Sequence, residues 1–352
     1  MEAIDVEVRV VTPKTQPSRS KPFFVAEISA NHLGSLTRAY ELIESASKAG
    51  ASAVKLQTYK PESMTLDLER FSVSQDHNLW GGLSLFQLYK EAMTPWEWHK
   101  ELFEHAKELG MKAFSSPFDH SAVDFLEELN CPIYKIASLE TGDVDLISYV
   151  ASKGKPMIIS TGASTLDEID AAVEAAVKVR DKLTLLVCTS SYPAEAADAH
   201  VNRILTLREK FGVDVGLSDH TLGIGVSVAA IALGATVIEK HLTIKRSDGG
   251  HDAAFSLEPD EFKLLVDEGN KAHAALGNLE WSIQTSEAES RRLRRSLYIS
   301  KPVKKGEIAS RENIRALRPN TGGPISDLSR MLGKRFKSDF TAGEAATINC
   351  IE

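Results

Sequence analysis

Eight short apolar runs, each ending in polar residues and each followed by a helical pattern, constrain this 352-residue chain more than any other feature. The runs fall at 23–29, 53–59, 112–118, 133–138, 156–161, 183–190, 213–220 and 236–243. Each opens with residues suited to a strand buried on both faces, as in a parallel sheet covered by helices. Amphipathic stretches lie between them, for example at 36–49, 120–129, 165–178 and 224–233. Eight consecutive strand–helix units predict a closed (β/α)8 TIM barrel over residues 21–280.

The polar ends predict where the chemistry gathers. They read Glu27 and Ser29, Lys55 and Gln57, Ser115 and Ser116, Lys135 and Ser138, Ser160 and Thr161, Thr189 and Ser190, Ser218 and His220, then Glu239, Lys240 and His241. In a barrel of this kind the C-terminal strand ends form the mouth. One polar strand end is ordinary, because the chain is leaving the core. Eight of them, carrying three lysines and two histidines, mark a lined cleft.

His220 and His241 end the seventh and eighth runs and are predicted to be neighbours at that mouth. Two imidazoles with oxygen-rich surroundings suit an open Mn²⁺ or Mg²⁺ site better than a closed structural zinc site. A hydrogen-bonded structural role is the alternative for either histidine alone. Lys55, Lys135 and Lys240, with hydroxyls at Ser116, Ser138, Ser160, Ser190 and Ser218, suit a small, multiply charged anion such as a phosphorylated carboxylate. A Schiff-base lysine, as in some barrel aldolases, is the competing chemistry. Glu27 stands beside both groups as a carboxylate and candidate base. Asp252, in the Gly-rich SDGGHDAAFS loop, is placed to meet a polar, sugar-like substrate.

The segment 60–95 is a long insertion after the second run, with a helix predicted over 83–93 and Thr94 as N-cap of the next. Its Trp80, Phe86 and Tyr89 are candidates to cover the cleft. Residues 1–20 read as a polar N-terminal arm, 281–294 as a charged linker and 295–352 as a small, mostly β domain. Within the last, KPVKKGEIAS echoes SDFTAGEAAT, which suggests two related halves. Composition is that of an ordinary globular protein, 43% hydrophobic and 26% charged, so a barrel of this size can be filled. A net charge of -8 argues against nucleic acid or an acidic membrane as the main partner. Three widely spaced cysteines give no disulfide framework, and no signal-peptide pattern or membrane-length apolar run is present, so a cytoplasmic protein is expected.

The motifs AEISANH, VKLQTY, FSSPFD, YKIAS, ISTGAS, CTSSYP, GLSDHT and LGATVIEKHLT, in this order, resemble the strand-end motifs of the sialic acid synthase family. The tail from Arg295 resembles that family's antifreeze-like (SAF) domain. The segments LWGGLSLFQLYKEAMTPWEWH and DAAFSLEP are most similar to the pseudaminic acid branch, with the neuraminic acid and legionaminic acid branches as the nearby alternatives.

The resemblance implies condensation of phosphoenolpyruvate with an open-chain acetamido sugar aldehyde, with release of phosphate. In that branch the sugar is 2,4-diacetamido-2,4,6-trideoxy-L-altrose. By motif, His220 and His241 resemble the metal ligands, with Glu27 near the metal. Lys55, Ser116, Lys135, Ser138, Ser160, Ser190, Ser218 and Lys240 would surround phosphoenolpyruvate, and Gln57, Tyr192 and Asp252 the sugar. The resemblance also implies a domain-swapped homodimer in which Arg318 reaches the sugar's N-acyl group in the partner's barrel. Two departures stand out. Arg318-Pro319-Asn320 replaces the family's frequent Arg-Pro-Gly, although Asn tolerates a left-handed turn. Ser190 stands where some neuraminic acid synthases place Asn.

Overall fold

A computed structural model describes residues 21–74, 79–278 and 280–352; the arm expected at 1–20 lies outside the described residues. The chain divides into two compact units that part after Gly277. In the first, eight parallel strands close a barrel in sequence order. They are β1 (Phe23–Glu27), β2 (Ala53–Thr58), β3 (Lys112–Pro117), β4 (Tyr134–Ile136), β5 (Met157–Ser160), β6 (Leu183–Cys188), β7 (Asp214–Asp219) and β8 (Val237–His241). Each lies within one of the eight apolar runs. Closure comes from β1 against β8, with Phe23 opposite Val237 and Glu27 opposite His241.

Local chemistry sets the helix ends. Helix Leu36–Ala49 starts where the Ser35 side chain accepts from Arg38 N–H, and it stops at Gly50, whose φ of 88° suits glycine. Asp119, Asp143 and Thr165 cap the helices that follow β3, β4 and β5, and Thr165 pairs with Glu168 in a capping box. These caps keep the loops between strand and helix short, so the strand-end residues are held close to the mouth.

The insertion departs from expectation at one point. Its helix runs Leu85–Ala92, but Thr94 caps nothing, and its buried hydroxyl has no hydrogen-bond partner. A 3-10 turn, Trp96–Trp98, intervenes before helix His99–Glu108, and the Pro95 carbonyl accepts from Trp98 N–H. Pro95 precedes the turn in an extended conformation (ψ 132°), so the helix begins four residues later than the Thr-Pro signal implies.

In the second unit β9 (Ser296–Ile299) and β10 (Ile314–Leu317) pair antiparallel over a small core that includes Leu297, Val303, Ile314, Met331 and Phe336. The segment expected as a linker carries a turn at Thr285–Glu287 and a short helix, Ala288–Arg292. The sequence echo has a structural counterpart. Val303 and Phe340 exchange reciprocal backbone hydrogen bonds of 3.0 Å. Ile299 N–H to Glu344 O is mirrored by Phe336 N–H to Glu307 O, both 2.9 Å. Lys304 N–H bonds the Glu307 side chain as Thr341 N–H bonds that of Glu344, and Gly306 and Gly343 both hold positive φ. Two related halves thus close on each other about the Val303–Phe340 pair. Among the described residues no helix is long and apolar enough to cross a membrane.

Candidate active site

Side chains two apart on a strand share a face, and that parity decides which polar strand ends meet. Glu239 lies at the centre of the mouth. Its Oε1 accepts from Lys135 Nζ and Ser218 Oγ, both at 3.1 Å, and lies 3.5 Å from Lys55 Nζ. Lys55 also meets Glu27 Oε2 at 2.5 Å and Ser116 Oγ at 3.4 Å. All four charged groups are buried. Burial works against the Lys55 ammonium, but Glu239 and Glu27 outweigh it and hold its pKa above the usual lysine range. Burial pushes Lys135 down, and Glu239 opposes this only in part. Burial likewise works against the Glu239 carboxylate, yet Lys135 and Lys55 bring it down to about 2. Burial raises Glu27 despite Lys55.

Lys240 has the other parity. Its Nζ lies 2.9 Å from Asp219 Oδ2 and donates to Thr221 O at 2.6 Å, on the face of the wall turned toward helix Gly225–Ala232. Ser227 of that helix donates to the same Asp219 Oδ2 at 2.6 Å. Of the three lysines expected at the mouth, two meet there and Lys240 does not. Glu239, unassigned from sequence, takes the inward place because it shares parity with His241.

The rings of His220 and His241 stand 5.4 Å apart, with Phe255 edge-on to both. His220 Nδ1 lies 3.0 Å from Thr189 O, and this bond assigns the proton to Nδ1 and leaves Nε2 free. His241 Nδ1 is buried without a partner, as is Glu27 Oε1. Burial first, then nearby His220 and the lysines, hold His241 well below its ordinary pKa. Among the described residues no three His, Cys, Asp or Glu side chains are grouped so as to hold a metal ion. The two imidazoles would by themselves offer a cation two donors, leaving the rest of its shell to water and substrate.

Hydroxyls converge opposite the lysines. Ser138 Oγ accepts from Gly162 N–H at 3.1 Å, and Ser160 Oγ is buried without a partner. A Cβ on Gly162 would come within 2.3 Å of Ser190 Oγ and 2.8 Å of Ser138 Oγ, so glycine leaves the room in which these hydroxyls gather. Beside them opens a cavity of about 260 Å³ whose polar side includes Gln57, Ser138, His241 and Asp252. Gln57 Nε2 donates to Ser29 Oγ at 2.9 Å, and Asp252 Oδ2 accepts from Ala30 N–H at 3.2 Å. Tyr192 lines the cavity with its ring 4.5 Å from that of His220. The opposite wall is apolar: Met64, Leu85, Leu88 and Phe118, with Trp80 and Tyr89 from the insertion. Phe86 is not part of it. Arg318 lies in the second unit, exposed, beside Tyr298 and Ser300. Sequence reasoning also missed Glu140, which lines the cavity and is pushed up to about 7 by burial. Its place two residues beyond Ser138 in the loop after β4 is the signal that could have found it.

Fold and mouth together define a (β/α)8-barrel enzyme furnished for a small anion and a polar co-substrate. The NeuB family model matches residues 42–280 and the SAF domain model residues 294–352, and the chain belongs to the NeuB family. It is 42% identical over 326 residues to the pseudaminic acid synthase of Campylobacter jejuni, covering 92% of this chain and 95% of that protein. With the N,N'-diacetyllegionaminic acid synthase of Legionella pneumophila identity is 36% over 336 residues, 94% of each. The crystal structure of an N-acetylneuraminic acid synthetase from Leptospira borgpetersenii superposes with a TM-score of 0.70 at 31% identity, covering 80% of this chain and 94% of that one.

Proposed function

We propose that this enzyme condenses phosphoenolpyruvate with 2,4-diacetamido-2,4,6-trideoxy-L-altrose to give pseudaminic acid and inorganic phosphate. The 42% identity to a pseudaminic acid synthase along nearly the whole of both chains carries the assignment. The mouth supports the donor: Lys55, Lys135 and the hydroxyls of Ser116, Ser138, Ser160, Ser190 and Ser218 suit a phosphorylated carboxylate. Lys55, held protonated between two carboxylates, is a poor Schiff-base nucleophile. The apolar wall supports the acceptor, since a 6-deoxy sugar with two acetamido groups presents methyls where a hydroxylated sugar presents hydroxyls.

In the reaction the enol carbon of phosphoenolpyruvate bonds to the aldehyde carbon. Water then adds at the adjacent cationic carbon, and the C–O bond to phosphate breaks as that carbon becomes a ketone. Of the two protons of water, one ends on the former aldehyde oxygen and the other on the departing phosphate. Lysines and hydroxyls hold the donor in register, an orientation effect on the order of several kcal/mol. Gln57, Tyr192 and Asp252 bind the sugar, and Glu27 takes a proton from the attacking water. A divalent cation, Mn²⁺ or Mg²⁺, held by His220 and His241, would supply Lewis acidity at the aldehyde oxygen. Lys240 acts behind the site, by fixing Asp219 and Thr221. By family resemblance the enzyme is a homodimer whose SAF domain, residues 295–352, brings Arg318 to the sugar bound by the partner; its exposure on its own unit is compatible with that role. Three unpaired cysteines suit a reducing cytoplasm.

Phosphate release, measured side by side with N-acetylmannosamine and the two diacetamido trideoxyhexoses, tests the proposal. The altrose-configured sugar is expected to give the highest kcat/KM, and release must require phosphoenolpyruvate. Preference for either other acceptor overturns the branch assignment.

A further inference from the structure

Among the described residues, the insertion that walls the cavity is fastened to the loop after β8 at His251. The His251 carbonyl accepts from Trp80 Nε1 at 3.0 Å, and the His251 ring donates from Nε2 to Glu91 Oε2 at 3.2 Å. Trp80 lies in the tip of the insertion and Glu91 on its helix, so His251 is held by two separate parts of that segment. The next residue is Asp252, a sugar contact in the proposed function. Its carboxylate is fixed in turn by Ala30 N–H at 3.2 Å. Gly250 holds a φ of +107°, and a Cβ there would come within 2.4 Å of Leu33 Cδ2. The His251 contacts therefore tie the apolar wall, Leu85 and Leu88 included, to the carboxylate that faces it across the cavity. The lysines and hydroxyls of the donor half lie on strands that His251 does not touch.

We propose that His251 is a positioning residue for the acceptor sugar: it sets the width of the sugar half of the cavity and leaves the donor half unaffected. The inference rests on the proposed function. Its signature is a split between substrates. His251→Ala and Glu91→Gln are each expected to raise KM for the sugar about fivefold, the size of a partly exposed charged hydrogen bond. KM for phosphoenolpyruvate and kcat should stay within about twofold. The double variant should be no worse than His251→Ala alone, because both remove the same contact. His251→Gln, whose amide still donates to Glu91, should restore most of the sugar affinity. Equal rises in both KM values, unchanged sugar KM, or additive effects of the two substitutions each overturn the proposal. If the wild-type enzyme turns over none of the acceptors, the proposed function itself fails, and that outcome is visible before any variant is made.

Discussion

Lys240 and Asp219 meet at 2.9 Å on the outer face of the barrel wall, one residue away from His241 and His220 respectively. Both are buried, and Asp219 also accepts from Thr221 N–H at 2.9 Å and from the hydroxyls of Thr221 and Ser227. Burial raises the Asp219 pKa, but Lys240 and these donors outweigh it and hold the carboxylate below its usual range. The pair joins β7 to β8 behind the two histidines, so the strand ends that carry the imidazoles are cross-braced.

Removing one partner leaves an uncompensated buried charge. Lys240→Met is therefore expected to cost about 3–5 kcal/mol of stability. Asp219→Asn with Lys240→Met should recover much of that loss, since no lone charge remains. Urea unfolding of the single and double variants measures it. A single variant as stable as the wild type would show that the pair braces nothing.

Glu140 gives a pH prediction for catalysis. Burial pushes its carboxyl up to about 7, and Lys135 only partly opposes this. Below that pH the carboxyl is neutral; above it a carboxylate joins that of Asp252 in the sugar half of the cavity. The sugar kcat/KM is thus expected to fall as pH rises through about 7. Glu140→Gln keeps a neutral side chain at every pH and should flatten that limb. A limb that persists unchanged in the variant would assign it to another group.

Much of this was legible in the sequence, and the reasons differ by level. Strand positions and the helix Leu36–Ala49 could be read because apolar runs, a Ser N-cap and a Gly stop agree with one another. The exchange of roles between Glu239 and Lys240 was legible in principle, since parity with His241 fixes it. It was obscured because lysine at a strand end resembles an anion ligand whichever way it points. The path of the insertion was not legible: its contacts join residues as far apart as Trp80 and His251, which no local pattern couples. Glu140 escaped for a related reason, because only the depth of the cavity makes an ordinary loop glutamate unusual.

Two histidines outside the mouth govern acid stability. His32 and His99 are buried, and burial lowers each to about 4 from an ordinary value of 6.5. As pH falls from 6.5 the unfolded chain takes up these protons while the folded chain does not, so stability is lost between pH 6.5 and 4. Each histidine accounts for up to about 3 kcal/mol of that loss. His99→Gln, whose side-chain amide stands near the position of Nε2 and can keep a bond to Thr58 Oγ1 (2.8 Å from Nε2 in the wild type), should show a shallower decline over this window. Chemical denaturation at several pH values checks it. An identical slope in the variant would remove His99 from the account.

The two mouth histidines carry the last prediction. His241 Nδ1 and Glu27 Oε1 are buried without a partner on paired strand-end residues, and His220, whose Nδ1 is taken by Thr189 O, has its ring 5.4 Å from that of His241. Buried polar atoms left in this way imply a ligand that completes them. His241→Ala is expected to abolish product formation and to weaken Mn²⁺ binding by at least about tenfold in titration calorimetry. Chelator-treated wild-type enzyme should lose activity and regain it with Mn²⁺. The binding measurement matters because loss of activity alone would equally follow from a misplaced sugar. Unchanged Mn²⁺ affinity in His241→Ala, or full activity of the chelated wild type, would show that these rings serve the substrate directly, as hydrogen-bonding groups at the aldehyde.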